Sequence, residues 1–355
     1  MGAVGVMVAS MLVGFAAPGN GAAAPPGDHT RTQPVHVRNF SAGWTTPWGL
    51  SWLPDRTALI SERNSFRIYR LDQAGVKKLV GTVPQTVPNV VNEGVMGIAV
   101  SPTWARDRYI YVMHTASEGN RIARMTYNGS TLSGYTILLR GIKKDPHHNG
   151  GRLKFGPDGF LYAATGDANQ TALPQNIHSP NGKILRMTAS GAWAPGNPFS
   201  NYVYSYGHRN AQGLTWDAQG RLWAAEYGPN RNDEVNLIEP GKNYGWPRCA
   251  GPCTISGMTN PKVNWASTAD ASPSGLAYAD GALYVGALRG QRLWRVPVTG
   301  TTVGTPVAYY TNRYGRLRTV EKVPGRNAVW VLTSNADKVG RKPAGSDRVF
   351  EVQLG

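Results

Sequence analysis

Residues 145–167 read DPHHNGGRLKFGPDGFLYAATGD. Two adjacent histidines occupy a polar turn. A short strand follows, then a Pro-Asp-Gly turn, then a second strand ending in Gly-Asp. The same unit recurs along the chain, with second strands that read FLYAAT at 160–165, RLWAAE at 221–226 and ALYVGA at 282–287. Copies begin at Gly49, Gly97, Gly151, Gly213 and Gly275, and a last one runs from about Arg318 to Val352. A repeat of roughly 45–60 residues, each with about four short strands, predicts an all-β fold: a six-bladed β-propeller, one copy per blade. A β-sandwich has similar turns but does not repeat its strand text.

Composition agrees. The 355 residues include 43 Gly, 25 Pro, 11 Trp and 16 Tyr, which suits many short strands joined by turns. No window keeps an apolar 3.6-residue period, so a helical protein is not expected. With 37 Lys and Arg against 21 Asp and Glu, the net charge is +16. That field favours an anionic partner, although scattered surface arginine accounts for the same excess. No Lys/Arg run or nucleic-acid motif is present, so nucleic acid is not an expected partner.

The apolar run at residues 3–17 and the small residues at 22–24 read as a signal peptide over residues 1–24, although no Lys or Arg precedes the run. This predicts export to the periplasm, cell wall or exterior, with no integral membrane segment in the mature chain. Residues 25–46 read as a leader and 47–355 as the propeller. The two cysteines, Cys249 and Cys253, frame a tight Ala-Gly-Pro loop. A disulfide is favoured over a metal site, because two thiols with no neighbouring Cys or His make a poor ligand set.

Longer polar segments connect the copies, and in a propeller such loops crowd one end of the central channel. His147 and His148 lie in one of them. At most one points inward, since neighbours in extended chain face opposite ways. YGHRNAQGLTW at 206–216 places His208, Arg209 and Asn210 just before a strand. EYGPNRNDEVN at 226–236 is rich in oxygens suited to a hard cation such as Ca²⁺. Arg289 follows a strand, and Arg316 and Arg318 share one face of RYGRLR at 313–318. With Arg209 these form a cationic funnel matched to a small polyanion.

Together, HHNGGRLKFGPDGFLYAATGD, NGKILRM, YSYGHRNAQGL, EYGPNRNDEVNLI, KNYGWP and YGRLR resemble the soluble quinoprotein sugar dehydrogenases. These are the glucose/sorbosone dehydrogenase-like six-bladed propellers that use pyrroloquinoline quinone (PQQ) and Ca²⁺. The likeness runs from about Trp48 to Val352 and is nearest the compact aldose sugar dehydrogenase branch. It implies a general base at His148, a cofactor- and substrate-facing pair at Arg209 and Asn210, and Ca²⁺-holding carbonyls at Gly228 and Pro229. Arg316 and Arg318 would sit over the quinone carboxylates. Arg289 stands where the family has a cofactor-contacting Lys, and a further polar contact falls at Asn92 or Glu93. His147 replaces an Asp common in the family, so the partner that orients His148 stays open. The implied activity is oxidation of the C1 hydroxyl of an aldose to a lactone, with electrons leaving to an external acceptor, a quinone or a cytochrome. Two other readings remain: a non-catalytic propeller that binds glycan or protein, and a Ca²⁺-dependent lactonase-type hydrolase.

Overall fold

Each sequence copy folds into one antiparallel sheet whose successive strands pair with one another, joined by tight turns in some places and by long loops in others. The computed structural model describes residues 1–2, 33–87 and 91–355. From Ala3 onward the signal-peptide reading lies outside them. The innermost strands are Pro47–Trp52, Val95–Val100, Gly150–Phe155, Ala211–Trp216, Pro273–Ala279 and Leu317–Lys322. They touch one another in succession, the last against the first, and so close a six-bladed ring. Among the described residues no helix is long and apolar enough to cross a membrane.

The segment read as a leader is a structural part of that ring. Pro34–Trp44 pairs antiparallel with Asp347–Leu354, with Val37 opposite Val352 and Trp44 opposite Asp347. It becomes the outer strand of the sixth blade. The propeller therefore begins at Pro34 rather than at 47, and the two chain ends are zipped into one sheet. The pairing covers an edge that would otherwise be open.

Alternation along the strands has a different meaning from the usual core and solvent faces. Leu222–Glu226 is buried throughout. Its Leu222 and Ala224 pack with Tyr162, Ile184 and Leu214 at the seam with the third blade. Trp223 and Ala225 pack with Leu276, Leu283 and Val285 at the seam with the fifth. Apolar clusters of this kind fill all six seams, because both faces of each blade meet a neighbour.

Near the axis the inner strands run too close for side chains. A Cβ on Gly97 would stand 2.2 Å from the Gly151 carbonyl oxygen, and one on Gly213 2.4 Å from that of Ser274. Arg152 of the third inner strand crosses this space instead. It is buried, donates from Nε to the Gln212 carbonyl at 2.7 Å and from Nη2 to Thr319 Oγ1 at 3.2 Å, and lies 4.3 Å from the Trp48 ring. Its guanidinium bridges the blades beneath the mouth.

Candidate active site

In an antiparallel blade, the loop that enters the first strand and the loop that leaves the second lie at the same end. The pairings Gly150 with Thr165, Ala211 with Glu226 and Leu317 with Thr333 mark that end. Residues just outside them converge on a cavity of about 310 Å³ at the mouth of the ring. Asn92, His148, Arg209, Asn210, Arg289, Arg316 and Arg318 all line it, so seven residues picked from five separate loops share one space. His147 is also on the lining, but its side chain is 54% exposed, which leaves it at the rim.

His148 is the inward histidine. Its Nδ1 lies 2.8 Å from Oδ1 of Asp167, whose side chain is 1% exposed. Asp167 also accepts from the Asn169 amide at 2.9 Å and from Trp246 Nε1 at 2.8 Å. With the carboxylate acting as acceptor to all three, Nδ1 carries the proton and Nε2 keeps its lone pair for the cavity. His148 adopts φ +57°, a left-handed backbone that sets the ring at the end of its strand. Asp167, the final residue of the opening motif, is thus the orienting partner that the sequence left open.

Arg209 reaches the opposite wall. Its Nη1 donates to the Gly228 carbonyl at 2.8 Å, and its guanidinium lies 5.4 Å from the Trp246 ring. Burial pulls its pKa down, and the buried Nε has no partner. Glu226 holds the backbone behind it, accepting from the Arg209 amide and from the Asn210 amide at 3.3 Å. Asn210 in turn accepts from the Gly150 amide at 3.0 Å, tying this loop to that of His148. His208 does not join the cavity. It is fully buried between Ser205 and Glu226, 2.8 Å from each, and stacks on Tyr244.

Gly228 and Pro229 line an adjoining crevice that shares Arg209 and Tyr227 with the cavity. The acidic side chains in that loop are committed to backbone. Asp233 accepts from the amides of Gly228 at 2.8 Å and Ser272 at 2.7 Å, and Glu234 accepts from Gly251 at 2.6 Å. Burial raises the Asp233 pKa; burial, reinforced by the Glu226 carboxylate, raises that of Glu234. Among the described residues no cluster of three or more His, Cys, Asp or Glu could hold a metal. A cation here would rest on carbonyls and on oxygens brought by a ligand. Cys249 lines the crevice and is joined to Cys253 as a disulfide, with Cα atoms 5.7 Å apart.

Arg316 and Arg318 converge on Asp337, at 3.2 Å and 3.4 Å. Arg318 also donates to Ser334 at 2.9 Å and to Gln212 Oε1 at 3.3 Å. Behind them lies Arg63, fully buried at the end of the first blade's second strand. Its Nη1 donates to Asn92 Oδ1 at 3.2 Å, and burial, then the Arg318 charge, pull its pKa down to about 9. Of the two candidates before the second copy, Asn92 faces the cavity. Glu93 is buried and lies 3.3 Å from Lys144 Nζ. Arg63, Gln212, Trp246 and Asp337 were not legible as site residues. For Arg63, Gln212 and Asp337 the available signal was their place shortly after second strands or just inside a first one; Trp246 lies between the third and fourth strands of its blade.

Four arginines line the cavity and, among the described residues, no carboxylate does. Arg316 Nε and Arg63 Nη2, like Arg209 Nε, are buried without partners. The arrangement is built for a flat, multiply anionic ligand beside a base. Residues 44–340 match the family model described as Glucose / Sorbosone dehydrogenase. The chain belongs to that family. Within the glucose/sorbosone dehydrogenase family, it is 35% identical over 268 residues to quinoprotein glucose dehydrogenase B of Acinetobacter calcoaceticus. That match takes in 65% of this chain and 56% of the relative, so the chain spans little more than half of that protein. It is 28% identical over 328 residues to aldose sugar dehydrogenase YliI of Escherichia coli, covering 82% and 87% of the two. A solved PQQ-bound aldose sugar dehydrogenase from Streptomyces coelicolor superposes with a TM-score of 0.87 at 45% identity, over 91% of this chain and 100% of that one.

Proposed function

We propose that the protein is an exported PQQ- and Ca²⁺-dependent dehydrogenase that oxidises the C1 hydroxyl of an aldose to a lactone and delivers the electrons to an external acceptor. The observation that carries this reading is the meeting of the His148–Asp167 pair with Arg209, Arg316 and Arg318 in one cavity. The residues fit PQQ, because four arginines and Asn92 line the cavity with no carboxylate among them, which suits the cofactor's carboxylates and quinone oxygens. For Ca²⁺ the hard oxygens on offer are the Gly228 and Pro229 carbonyls, and that of Gly228 would have to exchange its hydrogen bond from Arg209 for the ion. When bound, the cofactor supplies a two-electron acceptor and the ion a Lewis acid.

The chain's own residues do the rest. Arg316, Arg318 and Asn92 would hold the carboxylate side of the cofactor, with Arg289 at its edge and Arg209–Asn210 at the reacting side. His148 Nε2 takes the proton of the anomeric hydroxyl as the C–H bond breaks. Asp167 keeps the ring oriented and stabilises the imidazolium that forms. Trp246 fixes Asp167 and lies against Arg209, so it couples the base to the cation beside it.

Trp246→Phe keeps an aromatic ring, though a smaller one, and removes the donor to Asp167. Losing a hydrogen bond to a charged group costs about 1.5 kcal/mol or more, so turnover should fall roughly tenfold. Steady-state kinetics at saturating sugar would check this, and an unaltered kcat would remove Trp246 from the positioning of the base. The function itself is tested by adding Ca²⁺ and PQQ to the purified protein. A shifted quinone absorbance and dye reduction upon addition of aldoses are expected. Absence of both, across a panel of aldoses, would dismiss the proposal.

A further inference from the structure

A larger hollow of about 600 Å³ opens beside the cavity and shares Arg289, Arg316 and Val339 with it, so the two are continuous. Its remaining polar lining comes from Gln291, Asn312, Tyr314, Asn335, Lys342 and Ser346. Among the described residues no carboxylate lines it, and Lys342 has no ion-pair partner. Ser346 Oγ is buried without a hydrogen bond, as is Arg316 Nε on the shared wall. The walls are preformed. Asn335 accepts from the Arg316 amide at 2.8 Å and donates to the Tyr314 carbonyl at 3.2 Å, while its own carbonyl accepts from the Lys342 amide at 2.9 Å. Asp337 accepts from the amides of Val339 and Gly340 at 2.9 Å and 2.6 Å, so the carboxylate that pairs with the site arginines also shapes this wall.

We propose that this hollow is a subsite for a second sugar ring bearing a carboxylate, which makes acidic oligosaccharides with a free reducing end the favoured substrates. The inference rests on the dehydrogenase reading. The reducing-end C1 has to reach His148 in the smaller cavity, and the shared wall leads the next ring into the hollow. Amide and hydroxyl side chains suit sugar hydroxyls. An anionic group on that ring would pair with Lys342, which is exposed at the edge of a wall that carries no carboxylate.

The test compares an acidic disaccharide, glucuronosyl-xylose, with its neutral counterpart, xylobiose, on the PQQ-loaded protein and on Lys342→Gln. The acidic sugar should show a KM roughly three- to tenfold lower than the neutral one at low ionic strength, narrowing as salt is raised. Lys342→Gln should abolish the difference, with PQQ absorbance confirming an intact cofactor site. Equal KM values in the parent protein, or a preference that survives in Lys342→Gln, would overturn the subsite. Calorimetric binding of glucuronosyl-xylose to the protein without cofactor gives a readout apart from turnover. Lys342-dependent binding with no oxidation of any aldose would refute the dehydrogenase reading and still support the subsite.

Discussion

His148→Ala lowers turnover by roughly 10²–10⁴-fold while PQQ remains bound, the range that a positioned general base contributes. Three features lead to this expectation. Asp167 occupies Nδ1 at 2.8 Å, so only Nε2 is left to meet substrate. The imidazole lines the cavity together with the arginines. Of the groups assigned to the cofactor, Arg316 donates to Asp337, Arg318 donates to Ser334 and Asn92 accepts from Arg63, so none of these bonds depends on His148. Single-turnover kinetics on the loaded variant, with quinone absorbance as the binding check, separates chemistry from cofactor loss. Undiminished turnover would take His148 out of the mechanism.

Asp337→Ala is expected to cost about 3–5 kcal/mol of stability and to abolish cofactor binding, since it strands buried guanidinium groups without their carboxylate. Burial alone opposes a charge on Asp337. The charges of Arg318 and Arg316, the Gly340 amide and then Arg63 outweigh it, and the pKa falls from 3.8 to about 2. Because folding lowers this pKa, the unfolded chain takes up the proton first. The contribution is complete above about pH 4 and disappears as pH falls through about 2. Urea midpoints of the parent and Asp337→Ala should therefore lie far apart at pH 7 and draw together between pH 4 and 2. A constant gap across that window would show that ionisation of Asp337 is not what holds the cluster.

The blades were legible because their text repeats, and the glycines at 49, 97, 151, 213 and 275 recur within the inner strands where these approach too closely for a side chain. The closing strand was not. PVHVRNFSAGW carries none of the repeat text, and its partner, Asp347–Leu354, lies about 300 residues away. Its role follows from an open sheet edge that only the finished ring presents. Alternation in Leu222–Glu226 was legible too, but a solvent face and a second seam give the same pattern.

For the site, His148, Arg209, Asn210, Arg289, Arg316 and Arg318 were readable from their motifs. Glu93 was an expectation that the structure buries beside Lys144. Asp167, Trp246, Arg63 and Asp337 act through partners that lie close only in space. Trp246 and Asp167 are 79 residues apart and 2.8 Å from contact to contact. By itself, then, the chain's text determined a six-fold β repeat, the residue types of a base and a cationic cluster, and the family to which they belong. Which imidazole nitrogen is free, which carboxylate gathers the arginines and how the ring closes were decided by tertiary structure. Hydrogen bonds of this length depend on angles set by blades that pair and pack only after distant segments have met.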